Sequence, residues 1–252
     1  MSDSIDTVER AAGVAPPFLR STRGALGAGR DLRRRLLVHH VPLALASTAG
    51  LLVLLRVRPS DSGFSIAQLA SPTGDVALVL LALTLLLGPA SLVLRRRSPP
   101  HTYLRRDVGT WTAIWSVVHV VVGFQGHTQG AFGFVRYFFA DGKPLIDSFG
   151  LGNWTGLAAT IIIVLLLVLS TDRYLRELKS RPWKVLQRLN YALFALVVLH
   201  AVFYGALRRM TSPFSLILIT TTIAVLVGQA VGIWLYRRND RVRATRGLSH
   251  RR

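Results

Sequence analysis

Apolar stretches alternate with short basic connections along most of the chain. Each stretch is close to the roughly 20 residues that a helix needs to cross the hydrocarbon core of a bilayer. The glycines and prolines inside them are tolerated in transmembrane helices. The pattern predicts an all-α, polytopic membrane protein, a six-transmembrane-helix bundle with spans at 36–55, 74–94, 108–127, 154–171, 185–207 and 213–236.

The distribution of arginine and lysine predicts the orientation of these spans. Basic residues are dense before the first span, in the second and fourth connections and after the last span, and sparse in the other connections. Because cytoplasmic loops carry the excess of Lys and Arg, we expect both termini in the cytoplasm and the protein in the inner (plasma) membrane. Residues 1–35 and 237–252 are then basic cytoplasmic tails, the first of them flexible, that flank the 36–236 transmembrane domain.

The composition narrows the possible partners and metal ligands. The chain has 31 Lys+Arg against 12 Asp+Glu, a formal net charge of +19. Because these charges lie at the ends of apolar stretches, they predict contact with anionic membrane lipid and no binding of nucleic acid. The absence of cysteine excludes disulfides and thiolate metal sites. Metal chemistry must therefore rest on histidine, carboxylate or methionine side chains.

Two histidines, His119 and His200, lie well inside apolar spans, where ionisable groups are costly and often functional. His119 comes twelve residues after Asp107 and His200 sixteen after Lys184, rises of about 18 and about 24 Å from the cytoplasmic side. Two imidazoles at similar depth on separate helices are suited to be the metal ligands that clamp a haem between them. The alternative is that each histidine only hydrogen-bonds to a neighbouring helix.

Aromatic residues accompany both histidines at helical spacing. Trp115 precedes His119 by four residues and Tyr204 follows His200 by four, so each shares a helix face with its histidine. We interpret them as cofactor-binding residues, although simple packing between helices is an equal alternative. The aromatic-rich connection 128–153 is either an interfacial belt or a short segment that caps a site at the outer mouth of the bundle.

Three segments resemble the ferric-reductase-like transmembrane domain family: TGDVALVLLALTLLLGPASLVLRRR, YLRRDVGTWTAIWSVVH and LSTDRYLRELKSRPWKVLQRLNYALFALVVLH. The resemblance covers roughly 70–210. Within the family it is greatest to the haem-binding membrane subunit of bacterial periplasmic methionine sulfoxide reductase systems. It implies a six-helix haem b protein that passes electrons across the inner membrane, with His119 and His200 at the ligand positions of the outer haem.

The chain departs from the pattern of relatives that hold two haems, whose ligands are paired 13 or 14 residues apart on each of two helices. Thirteen residues before His119 is Arg106, and thirteen before His200 is Gln187. Neither is a plausible haem ligand, and where the family often reads L-H-R-L this chain reads L-Q-R-L. We therefore expect one haem b.

The cytoplasmic rim carries Arg105, Arg106, Gln187 and Arg188 in place of a second haem site. Such donors are suited to the phosphate of FMN or the carbonyl of a quinone. The alternative is that the arginines serve only as the positive charges that orient the protein.

The expected function is that of a membrane cytochrome b, an electron-transfer subunit of an oxidoreductase system. Electrons would come from a cytoplasmic flavin reductase or the quinol pool. They would leave through one bis-histidine haem to an outside acceptor, either a periplasmic or extracellular reductase subunit or a ferric chelate. Whether the chain is itself an enzyme stays open. The alternative is a haem-free transporter or assembly scaffold, although the scarcity of acidic residues in the spans argues against a proton-coupled transporter.

Overall fold

A computed structural model of the protein describes residues 33–57, 65–94, 100–127, 133–170 and 188–249. By their contacts the chain divides into two units, Met1–Leu45 and Ala46–Arg252. Helices make up nearly all of the described chain, with one short β-hairpin between two of them. A π-helical turn, Leu36–His40, precedes the first α-helix, and a 3₁₀ turn, Ile66–Leu69, precedes the second.

The elements follow one another as α1 Val41–Val57, α2 Ala70–Val93, α3 Pro100–His127, α4 Gly133–Phe138, β1 Phe139–Ala140, β2 Lys143–Pro144, α5 Ser148–Leu169, α6 Leu189–Phe203 and α7 Pro213–Ser249.

Five helical segments are long and apolar enough to cross a membrane: Arg33–Val57, Ile66–Val93, Tyr103–Gln125, Ser148–Leu169 and Pro213–Asn239. They confirm a multi-pass membrane protein. The predicted count of six is not confirmed, because the described helix within the 185–207 span is α6, only 15 residues long. At 1.5 Å per residue α6 covers about 22 Å, short of the roughly 30 Å core. Residues 185–187 lie outside the part of the chain that the structure describes.

Capping side chains, rather than hydropathy, decide where two helices begin. The Asp147 carboxylate accepts a hydrogen bond from the Gly150 backbone N–H at 2.8 Å, so α5 begins at Ser148, six residues before the predicted span. Ser65 caps the 3₁₀ turn before α2 in the same way, by accepting from Ala67 N–H at 3.3 Å. Both caps satisfy helix-terminal N–H groups that would otherwise lack a partner.

Helix α2 lies at the centre of the packing. It makes its most extensive contacts with α3 and α7, while α5 packs against α6. The core includes Leu78, Leu81 and Leu85 of α2, which meet Leu193 of α6 and Leu218 of α7. Helix α3 therefore packs mainly against α2, and helix α6 packs mainly against α5. The positions of α3 and α6 are set by these two different partner helices.

A proline inside α2 is compensated by a side chain of α7. Pro89 has no N–H, so it cannot supply the intrahelical hydrogen bond to the carbonyl of Leu85. The Gln229 amide donates to that carbonyl instead, at 2.9 Å, and accepts a hydrogen bond from the Tyr191 hydroxyl at 3.0 Å. Such replacement of a lost backbone partner is what makes proline tolerable within a membrane helix.

Candidate functional site

The two histidines predicted to share a depth lie side by side. Their imidazole centroids are 5.9 Å apart, and the ring planes stand at 89° to each other. His119 belongs to α3 and His200 to α6, helices that are not consecutive along the chain. The fold therefore converts two separate sequence positions into one site, and we call this region the histidine end of the bundle.

Each imidazole is oriented by a backbone carbonyl of a neighbouring helix. His119 Nδ1 lies 2.7 Å from the Ala70 carbonyl oxygen, and His200 Nδ1 lies 2.8 Å from that of Gly152. A carbonyl oxygen only accepts hydrogen bonds, so each Nδ1 carries the proton. In a neutral imidazole this leaves the lone pair on Nε2, the form that coordinates a metal.

Two glycines make room for the rings. A Cβ atom placed on Gly74 of α2 would lie 3.0 Å from His119 Cε1, and one on Gly156 of α5 would lie 2.8 Å from His200 Nδ1. Both distances are shorter than an ordinary van der Waals contact. A larger residue at either position would have to push the imidazole away from its carbonyl partner.

The donor set decides which kind of metal group would fit. Among the described residues, no cluster of three or more His, Cys, Asp or Glu side chains is placed to hold an ion. Two imidazoles alone suit a metal whose other ligands come from a planar macrocycle. The donor set therefore fits a haem, whose iron His119 and His200 would hold.

Of the two predicted aromatic neighbours, Tyr204 contacts its histidine, and Trp115 is buried on α3. Trp115 is buried, with 9% of its surface exposed, and its indole N–H has no hydrogen-bond partner within the described part of the chain. A buried donor of this kind favours a ligand or ordered water beside it. Tyr204 packs on His200 with ring centroids 4.9 Å apart, and its hydroxyl donates to the Asn153 side-chain oxygen.

The connection between α3 and α5 is tied to both histidine helices. The Tyr137 hydroxyl donates to the Gly123 carbonyl of α3 at 3.1 Å, and Asn153 donates to the Tyr137 carbonyl at 2.7 Å while it accepts from Tyr204 of α6. Burial raises the pKa of Tyr137, so its hydroxyl stays a donor at neutral pH. These contacts match the cap interpretation of the aromatic connection better than a simple belt.

The predicted cytoplasmic-rim residues are not brought to the histidine pair. Arg105 and Arg106 lie near the start of α3, both half-buried, and Arg106 is thirteen residues from His119, about 20 Å along the helix. Arg188 is exposed at the N-cap of α6. Gln187 lies outside the residues that the structure describes. We call the region of Arg105, Arg106 and Arg188 the arginine end.

Sequence reasoning missed the groups that support the histidines. These are the carbonyls of Ala70 and Gly152 and the two glycines, Gly74 and Gly156. Every residue has a carbonyl, so nothing in the sequence marks the two acceptors. The glycines offered a signal, because each follows its carbonyl residue by four positions, one helical turn.

The fold and the site thus define a multi-pass membrane helix bundle with a paired-histidine centre. The chain belongs to the family described as ferric reductase like transmembrane component, whose profile matches residues 73–198, half of the chain. The matched region includes His119 and ends just before His200. The family expected from the sequence is confirmed, and a role in membrane electron transfer follows from it. No curated protein matches the chain.

Proposed function

We propose that the protein is a membrane cytochrome b that carries electrons across the membrane through one bis-histidine haem b. The observation that carries this proposal is the pairing of His119 and His200 at 5.9 Å, each with its Nδ1 on a carbonyl. In the haem-free alternative the hydrogen bonds would satisfy the rings, but nothing would require the two imidazoles to lie within 5.9 Å of each other.

The residues of the chain have separate tasks in this proposal. His119 and His200 would hold the iron, and the haem would supply a one-electron couple. If both histidines held the iron, no coordination position would remain for a substrate, and the chain would conduct electrons rather than transform a molecule. Tyr204, which packs on His200, and the cap formed through Tyr137 and Asn153 would limit the access of water to that ring.

The charge distribution supports an outward direction of electron transfer. Basic residues at the arginine end are typical of a cytoplasmic face, and the histidine end would then lie outside. The acceptor would then be an outside reductase subunit or a ferric chelate. The resemblance to the membrane subunit of methionine sulfoxide reductase systems favours a periplasmic partner protein. The donor would be a cytoplasmic flavin reductase or the quinol pool, with FMN or a quinone bound near Arg105, Arg106, Gln187 and Arg188.

The absorption spectrum of the purified protein tests the haem. We expect a Soret band in the wild-type protein and its loss in His119→Ala and in His200→Ala, since neither imidazole alone completes the axial pair. His39→Ala, in the π-helical turn before α1, is the control and should keep the band. Circular dichroism and elution volume show whether each variant is folded. A wild-type protein without the band, or a band that survives both substitutions in folded protein, would contradict the proposal.

A further inference from the structure

The two carbonyls that orient the histidines occur in the same short sequence pattern. Residues 69–74 read L-A-S-P-T-G and residues 151–156 read L-G-N-W-T-G. In both, a leucine is followed by the small residue whose carbonyl meets a histidine, then by threonine three positions later and glycine four positions later. The histidines follow their carbonyl partners by 49 and 48 residues. The helix pairs α2–α3 and α5–α6 therefore present their histidines in equivalent ways.

The threonines of this pattern donate to the same oxygen atoms as the histidines. Thr73 Oγ1 lies 3.0 Å from the Ala70 carbonyl oxygen, and Thr155 Oγ1 lies 2.9 Å from that of Gly152. Each threonine has a single hydroxyl hydrogen. That hydrogen is shared between the oriented carbonyl and the preceding one, which lies nearer, at 2.7 Å for Leu69 and 2.8 Å for Leu151. Each oriented carbonyl thus meets two side chains, a threonine hydroxyl and a histidine Nδ1–H.

A threonine hydroxyl that donates to one of these carbonyls also affects the histidine that donates to the same oxygen. A carbonyl oxygen that accepts strongly from Nδ1–H makes the imidazole a more basic ligand. A second donor on the same oxygen draws on its electron density and weakens that acceptance. A less basic imidazole gives less stabilisation to the oxidised, more positively charged iron, so the reduction potential rises. The choice and basicity of the iron ligands are among the means by which proteins set a haem potential.

We propose that Thr73 and Thr155 are positioning residues that set the strength of the His119 and His200 Nδ1 hydrogen bonds and thereby raise the reduction potential of the centre. The inference rests on the proposed haem function and adds to it a pair of matched tuning groups. The residues act through the Ala70 and Gly152 carbonyls and do not themselves touch the metal.

Two other threonines on the same helices provide matched controls. Thr84 of α2 donates to the Leu80 carbonyl at 2.9 Å, and Thr160 of α5 donates to the Gly156 carbonyl at 2.8 Å. Both make the same bond to the carbonyl four residues earlier. The histidine Nδ1 atoms are bonded to Ala70 and Gly152, so neither control hydroxyl shares its acceptor with His119 or His200.

The test is a spectroelectrochemical titration of the full-length protein in detergent, with haem content measured from the Soret band. We expect Thr73→Val and Thr155→Val each to shift the midpoint potential to more negative values and the double variant to show the sum of both shifts. Thr73→Ser and Thr155→Ser restore the hydroxyl and should titrate close to wild type. Thr84→Val and Thr160→Val should leave the potential unchanged.

The outcomes separate this inference from the haem proposal. A wild-type protein without haem overturns both. A haem-loaded protein whose potential is unmoved or raised by the valine substitutions overturns only the tuning role of the threonines. The same holds if the control valines shift the potential as much as Thr73→Val and Thr155→Val, since the effect would then be general to the helices. If the valine variants lose haem, the serine forms decide, since they keep the hydroxyl without the methyl: a midpoint potential shifted from wild type in haem-loaded Thr73→Ser or Thr155→Ser overturns the tuning role of the hydroxyl.

Discussion

The histidine end and the arginine end are built on the same helices but by different means. At the histidine end, α2 and α5 supply carbonyls and glycines that hold each imidazole in one orientation. At the arginine end, thirteen residues earlier on α3, Arg106 is half-buried, and Arg188 at the start of α6 is exposed. The comparison teaches that a site that holds two rings in fixed orientations needs contacts from several neighbouring helices. Positively charged side chains at a membrane surface need fewer such contacts.

The largest expected effect comes from filling the space beside His200. Gly156→Val would put a branched side chain where even a Cβ lies 2.8 Å from Nδ1, so the imidazole must leave its carbonyl partner. We expect most of the bound haem to be lost, measured as a several-fold fall in Soret absorbance per protein.

Gly88→Val in α2 is the matched control, because a Cβ there meets nothing within 4 Å. It should keep its haem. Gly74→Ala, with its smaller intrusion, should lose less than Gly156→Val. Haem content at the wild-type level in Gly156→Val would show that the glycine does not support the site.

A smaller effect, on stability alone, is expected from the polar contact between α2 and α7. Gln229→Leu leaves the Leu85 carbonyl without the donor that replaces the missing N–H of Pro89. The free energy of unfolding in detergent should fall by about 1 kcal/mol, the usual scale for such bonds between membrane helices. The haem spectrum should not change.

A double-mutant cycle isolates the cause. Pro89→Ala restores an N–H within α2, so Gln229→Leu should cost less in that background than in the wild type. Equal costs in both backgrounds would mean that Gln229 does not act by satisfying the Leu85 carbonyl.

The smallest effect is expected at the arginine end itself. Arg106→Ala should slow haem reduction by a flavin reductase or by quinol a few-fold, because it removes one of several positive donors, and should leave the spectrum and potential unchanged. Stopped-flow measurement of the reduction rate provides the test. Arg136→Ala, on α4 in the cap, is the control with the same loss of charge. If Arg106→Ala reduces as fast as Arg136→Ala, no donor site involves this residue.

Much of the architecture was predictable because long apolar runs must become helices in lipid, where every backbone polar group needs an internal partner. The pairing of His119 and His200 was predictable from depth alone. The helix starts were not, since Asp147 extends α5 beyond its apolar run through a cap. The sixth span stays a prediction, because the described part of α6 is only 15 residues long and residues 185–187 lie outside the part of the chain that the structure describes.

By itself the sequence determined that this is a membrane helix bundle, that no cysteine is available to bind a metal, and which two histidines lie well inside apolar spans. Hydropathy, charge and spacing are local properties, so they can be read along a chain. Only the tertiary structure decided which carbonyls orient the rings, how far apart the rings stand, and which glycines and threonines face them. Those contacts join residues nearly fifty positions apart, and their register is set by how the helices pack.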